Sequence, residues 1–172
     1  DEFESLIKKA RGKTTIVAMH HPLYSNGPHG GQFSLRQQLF PVENKFPLPV
    51  LGTLLNIVRK TSGLSNTDLQ NKRYLEFKNR IATLSQENEK VIFVAGHEHS
   101  LQYIVKDNLP QIISGAGSKT TATRNINGGE FSFGGAGYAR LDVFNDGSSK
   151  VTFVDTEKNE DIFRTQVLKP NT

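Results

Sequence analysis

The sequence predicts a mixed α/β chain that gives way, past its middle, to a run of antiparallel strands. Two observations predict this. Helical spacing and short apolar strands alternate up to residue 95, and after His99 short apolar segments follow one another with only turns between them. A third observation concerns function. Both strands of the α/β part run straight into histidines, in "TTIVAMHHPLYSNGPHGG" and in "VIFVAGHEHSLQY".

Taken in order, residues 1 to 11 place Phe3, Leu6, Ile7 and Ala10 at helical spacing, with Asp1 and Glu4 set as a capping pair and Gly12 as the stop. Thr14 to Met19 read as a short strand. His20 to Gly31 hold Pro22, Pro28, Asn26, Gly27, Gly30 and Gly31, the composition of a loop. Leu35 and Leu39 open a brief helix that Pro41 stops. Residues 41 to 72 read as an insertion, in which Leu51, Leu54, Leu55 and Val58 have helical spacing. A helix packed on the body is the first reading there, and a lid or a membrane- or protein-contact surface over 48 to 58 is the alternative. Leu75, Ile81 and Leu84 mark a helix ending near Asn88, and Val91 to Ala95 form a strand expected to lie parallel to the first. Then "LQYIVKD", "QIISGAG", "AGYARLDVF", "KVTFVDT" and "IFRTQVL" read as five strands, with "NDGSSK" a hairpin turn and the glycines of "GGEFSFGGAG" assigned to turns.

The 172 residues are 35% hydrophobic and 22% charged, which fits one globular domain, taken as 1 to 172, with a buried core. No apolar run approaches the ~20 residues of a spanning helix. The absence of cysteine excludes disulfides, zinc knuckles and thiolate catalysis, and leaves the redox compartment open. A net charge of +4 suits an anionic substrate, but the basic residues are scattered, so no nucleic-acid partner is expected. The chain opens on Asp1 and has Met19 as its only methionine, the pattern expected of a processed or cut product.

A parallel strand delivers its last residues to the carboxyl edge of its sheet, where α/β proteins place ligands. If the two strands are neighbours, His20 and the His97/His99 pair converge there, and convergent neutral imidazoles favour a divalent metal. Pro22 holds His21 extended, so His20 and His21 are expected to face different ways, with one of them a ligand. Gly96 is expected to supply a positive φ or a close backbone approach. His97-Glu98-His99 is not the His-Glu-x-x-His of zincins, and the chain has no P-loop, no Gly-x-Ser-x-Gly and no dinucleotide fingerprint.

In order along the chain, "AMHHPLYS", "GPHGG", "GHEHSLQY" and "ISGAGS" resemble the last two metal motifs, with their flanks, of the calcineurin-like metallophosphoesterases, and within them of the tartrate-resistant type of purple acid phosphatase. The resemblance covers residues 1 to about 40 and 73 to 165. It implies the C-terminal half of a four-layer α/β/β/α sandwich, with the later strands building the second sheet. It also implies His20 and His97 as ligands of one metal, His99 as a ligand of a second, and His29 as the general acid or substrate contact; His21 matches no ligand. The activity implied is hydrolysis of phosphate monoesters at a dinuclear centre of Fe, Zn or Mn, in a secreted or cell-envelope protein.

The family's Asp-x-His, Gly-Asp and Gly-Asn-His motifs do not occur in this sequence. Two dications held close together need bridging carboxylate, which three histidines do not provide. The expectation is therefore that this chain supplies the histidine ligands and that an N-terminal half of the same domain supplies the rest as partner. Alone, the chain is expected to be inactive and to expose apolar strand edges that drive self-association. The competing readings are a non-catalytic metal- or phosphate-binding module and a structural or interaction domain.

Overall fold

Helix α1 (Glu2–Lys9) has acidic residues in its first turn and basic ones in its last, which complements the helix dipole, and Lys8 Nζ lies 2.6 Å from Glu4 Oε1 one turn back. Gly12, at φ 76°, takes the chain out of the helix. These features belong to a computed structural model that describes residues 2–30, 72–126 and 128–171. The capping role of Asp1, the brief helix at Leu35 and Leu39, and the insertion with its 48–58 surface lie outside the described residues, Lys72 excepted. Helix α2 (Lys72–Ser85) buries Ile81, Ala82 and Ser85 along one face. Neither helix is long and apolar enough to cross a membrane.

Strands β1 (Thr15–Met19) and β2 (Val91–Ala95) are adjacent and parallel, in register from Thr15 opposite Val91 to Met19 opposite Ala95. Next to β2 comes not the following strand but β4 (Leu109–Ser114), parallel to it, and then β3 (Leu101–Lys106), antiparallel to β4. Strand β5 (Gly129–Phe133) completes a five-stranded sheet of order β1-β2-β4-β3-β5. A second, antiparallel sheet joins β6 (Gly137–Val143), β7 (Ser149–Asp155) and β8 (Glu160–Leu168).

This arrangement corrects two expectations. The second sheet begins only at β6, because β3 and β4 belong to the first. Both are buried on consecutive residues, Leu101 to Ile104 and Leu109 to Ile113, as strands covered on both faces must be. The glycine-rich stretch also contains a strand, β5, since Phe131 and Phe133 alternate toward the inter-sheet core despite the flanking glycines.

The turns follow from their residues. Asp107 and Asn108, at φ 54° and 59°, form a two-residue loop between the paired Lys106 and Leu109, a backbone these side chains tolerate better than most. In the β6–β7 hairpin Gly147 stands at φ 81° and donates to Phe144 O, while Phe144 N donates to Ser148 O. That hairpin was legible in "NDGSSK".

One core lies between the sheets, where Ile92, Leu101, Tyr103 and Ile112 meet Val151, Phe153 and Leu168. The other lies under the helices, where Ile7, Ile81 and Ala82 meet Leu23, Val91, Phe93 and Leu109. Helices, five-stranded sheet and three-stranded sheet thus form three layers among the described residues. Among the described residues β1 is an edge strand, and Ile16 is 49% exposed.

Burial has a measurable consequence for the tyrosines. Desolvation first, and the neighbouring Asp107 second, push Tyr24 up to about 12; desolvation, aided by Glu130, pushes Tyr103 up to about 12; burial raises Tyr74 as well. Above the ordinary tyrosine value of ~10 the folded chain holds protons that the unfolded chain has released, so stability is intact below that pH and declines as pH climbs through about 12. A phenolate absorbance titration is expected to lag and then rise steeply with unfolding. Ionisation of Tyr24, Tyr74 and Tyr103 near pH ~10 with the fold intact would contradict the burial described.

Candidate metal centre

Because β1 and β2 are in register, their carboxyl ends release His20 and Gly96 side by side, and Gly96 N donates to His20 O at 3.3 Å. His97 follows at φ 66°, with Glu98 N donating to Gly96 O at 2.8 Å across it. This is the tight three-residue turn of positive φ, rare and strained for a residue with a side chain. The strain falls on His97 and not, as expected, on Gly96, whose missing Cβ would meet open space. Strain of this kind persists where surrounding structure enforces it, commonly at functional sites.

The turn throws His97 against the other imidazoles. His97 Nδ1 lies 3.3 Å from His20 Nε2, and ring nitrogens of His20, His21 and His97 all fall within 4.8 Å of one another. Ring centroids of His97 lie 4.1 Å from His21 and 4.3 Å from His29. His20 and His21 were expected to face apart, yet both turn toward His97. The ladder ends at Met19 opposite Ala95, so strand alternation no longer governs the two residues beyond it. Tyr74 steadies this bend: its hydroxyl lies 2.9 Å from both the His21 and the Pro22 carbonyl oxygens, sharing one proton between them.

The donor set fits a divalent metal. Two imidazole nitrogens each about 2.0–2.1 Å from a tetrahedral Zn²⁺ stand about 3.3–3.4 Å apart, and the His20–His97 pair already has that spacing. Burial, with His20 and His29 adding to it, holds the His21 imidazole below its ordinary value, which favours the neutral, metal-binding form. His99 is not a member of the three-imidazole group. Its carbonyl accepts from Thr121 N at 2.7 Å and Thr121 Oγ1 at 3.1 Å, which ties the loop after β4 to the histidine loop.

Beneath the imidazoles lies a residue to which the sequence reading assigned no role. Glu98 is 0% exposed. Its Oε1 accepts from Ser25 Oγ at 2.5 Å and from Gly30 N at 3.1 Å, and Oε2 has no hydrogen-bond partner among the described residues. Two glycines lie close against it. A Cβ on Gly27 would fall on its carboxylate, and one on Gly115 would fall on its backbone oxygen, where residues 96 to 100 cross the end of β4. Two buried glutamines hold the same loop. Gln111 bonds both N and O of Tyr24, and Gln102 Oε1 accepts from Asn26 N at 2.9 Å. Thr123 Oγ1 donates to Asn26 O at 3.0 Å, and Asn26 Nδ2 to Ile126 O. Sequence periodicity offered no signal for Glu98, which lies beyond Ala95, where the strand and its alternation have ended.

No family model matches the chain, and no curated protein matches it. Among solved structures it is similar to "GAP50 the anchor in the inner membrane complex of Plasmodium", with 19% sequence identity and a TM-score of 0.48, over 60% of this chain and 32% of that one. The match therefore spans about a third of the length of that structure.

Proposed function

We propose that this chain carries the histidine ligands of a metal-dependent phosphoesterase acting on phosphate monoesters. The observation that supports it is the 3.3 Å approach of His20 Nε2 to His97 Nδ1, from the ends of two adjacent parallel strands, in motifs that resemble those of the calcineurin-like phosphoesterases. In this reading His20 and His97 hold one ion and His99 serves a second, with Fe, Zn or Mn as the candidates. Bound metal would supply an activated water and would offset the charge that spreads over the phosphoryl oxygens. His29, whose ring stands 4.3 Å from that of His97, would donate a proton to the leaving oxygen. An N-terminal half of the domain is the proposed partner for the carboxylate ligands, outside the cell or in its envelope.

A second reading has its own support. Three imidazoles of this chain already form a group without any carboxylate, which suits a non-catalytic module that binds one ion. Metal content and hydrolysis of an aryl phosphate, measured with the N-terminal half of the domain supplied, before and after His97→Ala, separate the two. Two ions per chain, with hydrolysis lost in the variant, support the phosphoesterase. One ion lost in the variant, with no hydrolysis in either protein, supports the module.

A further inference from the structure

We infer that Glu98 is the positioning residue for His29, a role that deepens the phosphoesterase reading but can be tested apart from it. The residue couples two segments far apart in the chain. Its backbone forms one side of the strained turn that presents His97, while its carboxylate reaches across to the loop 25 to 30. The acceptor Oε1 takes Ser25 Oγ at 2.5 Å and Gly30 N at 3.1 Å, one residue on either side of the stretch from Asn26 to His29. Ser25 Oγ in turn accepts from Gly27 N at 2.9 Å, so a single carboxylate oxygen organises both ends of the single 3-10 turn, Pro28–Gly30, that carries His29. The ring of His29 is thereby set 4.3 Å from that of His97.

Burying a carboxylate is costly unless its bonds are made, and hydrogen bonds to charged groups are among the strong ones. A latch with one fully buried acceptor and a glycine at its back leaves the loop few alternatives. The glutamines and Thr123 fix Tyr24 and Asn26, and Gly30 N also closes the 3-10 turn on Gly27 O at 3.0 Å; from outside the loop it is the Glu98 carboxylate that reaches Gly30. The placement of His29 is thus assigned to Glu98.

The test is the nuclear Overhauser contact between the His29 and His97 rings in the metal-free full chain, read beside the β1–β2 amide contacts that report the fold. In Glu98→Ala the ring contact is expected to vanish while the β1–β2 contacts stay. In Glu98→Gln, which keeps an acceptor at the same reach, it is expected to remain. Should Glu98→Ala fail to fold, Ser25→Ala removes half of the latch and is expected to weaken the ring contact. A ring contact of wild-type intensity in Glu98→Ala, or in Ser25→Ala where the first variant is unfolded, overturns the inference. This readout needs neither metal nor turnover, so a chain without phosphatase activity still decides it. Where hydrolysis is present, loss of His29 placement is expected to lower kcat with KM little changed, a split that a fall in stability alone would not produce.

Discussion

Replacing His97 with alanine is expected to weaken binding of Zn²⁺ or Co²⁺ to the full chain by about 100-fold or more, since loss of a partner outside the ligand shell alone costs 10- to 100-fold. His97 is the hub of the group. It is the imidazole that lies 3.3 Å from His20 and that also stands against both His21 and His29. His20→Ala is expected to match it. The informative pair is His21→Ala and His99→Ala. A single ion held by this chain alone draws on His20, His21 and His97, so His21→Ala is expected to weaken metal binding while His99→Ala leaves that ion in place. Calorimetric titration of each variant with the metal alone checks this. Normal binding in His21→Ala with binding lost in His99→Ala would return the ligand set to the one implied by the family resemblance.

The ambiguity over His21 shows where sequence reasoning reaches its limit. That two strands end in histidines, and that the strands lie parallel, was legible because short apolar runs and helical spacing are local patterns. The positions of β6, β7 and β8 were legible for the same reason. What was not legible depends on a handful of residues at each strand end. The alternation that would separate His20 from His21 stops where the ladder stops, at Met19, and the sequence carries no mark of that end. The strained φ of 66° falls on His97 because residues 96 to 100 must cross the end of β4, a strand that enters the sheet only after β3 has been laid down beyond it. A crossing of that kind is set by strand order, and periodicity does not encode strand order. The glutamines of the loop clamp escaped for a further reason: polar residues in short strands read as solvent-facing until the burial on both faces is known, and Glu98 escaped because it lies between β2 and β3, where no alternation assigns it a face.

The strand order also determines what holds the centre in place, and this leads to the second large expected effect. Phe153 is expected to cost ~3–5 kcal/mol when replaced by alanine, the range for removing a buried aromatic side chain. It is fully buried on β7 and faces Phe131 of β5 at 4.8 Å between ring centroids, while Phe131 stacks on Phe163 of β8 at 4.6 Å. This aromatic group is where the three-stranded sheet grips the far edge of the five-stranded one. Domains of ordinary stability have only ~5–15 kcal/mol in all, so the loss consumes a large part of it. Denaturation by urea is expected to show a lowered midpoint with an unchanged slope. The double variant with Phe131→Ala is expected to fall short of the sum of the singles by ~0.5–1.5 kcal/mol, the part of the pair's energy beyond its buried area. A cost below ~1 kcal/mol for Phe153→Ala, the level of an ordinary substitution, would mean that the sheets do not meet at these rings. The edge strand β5 would then rest chiefly on its pairing with β3, while β3, with the Gln102 that clamps Asn26, would stay in the sheet on β4.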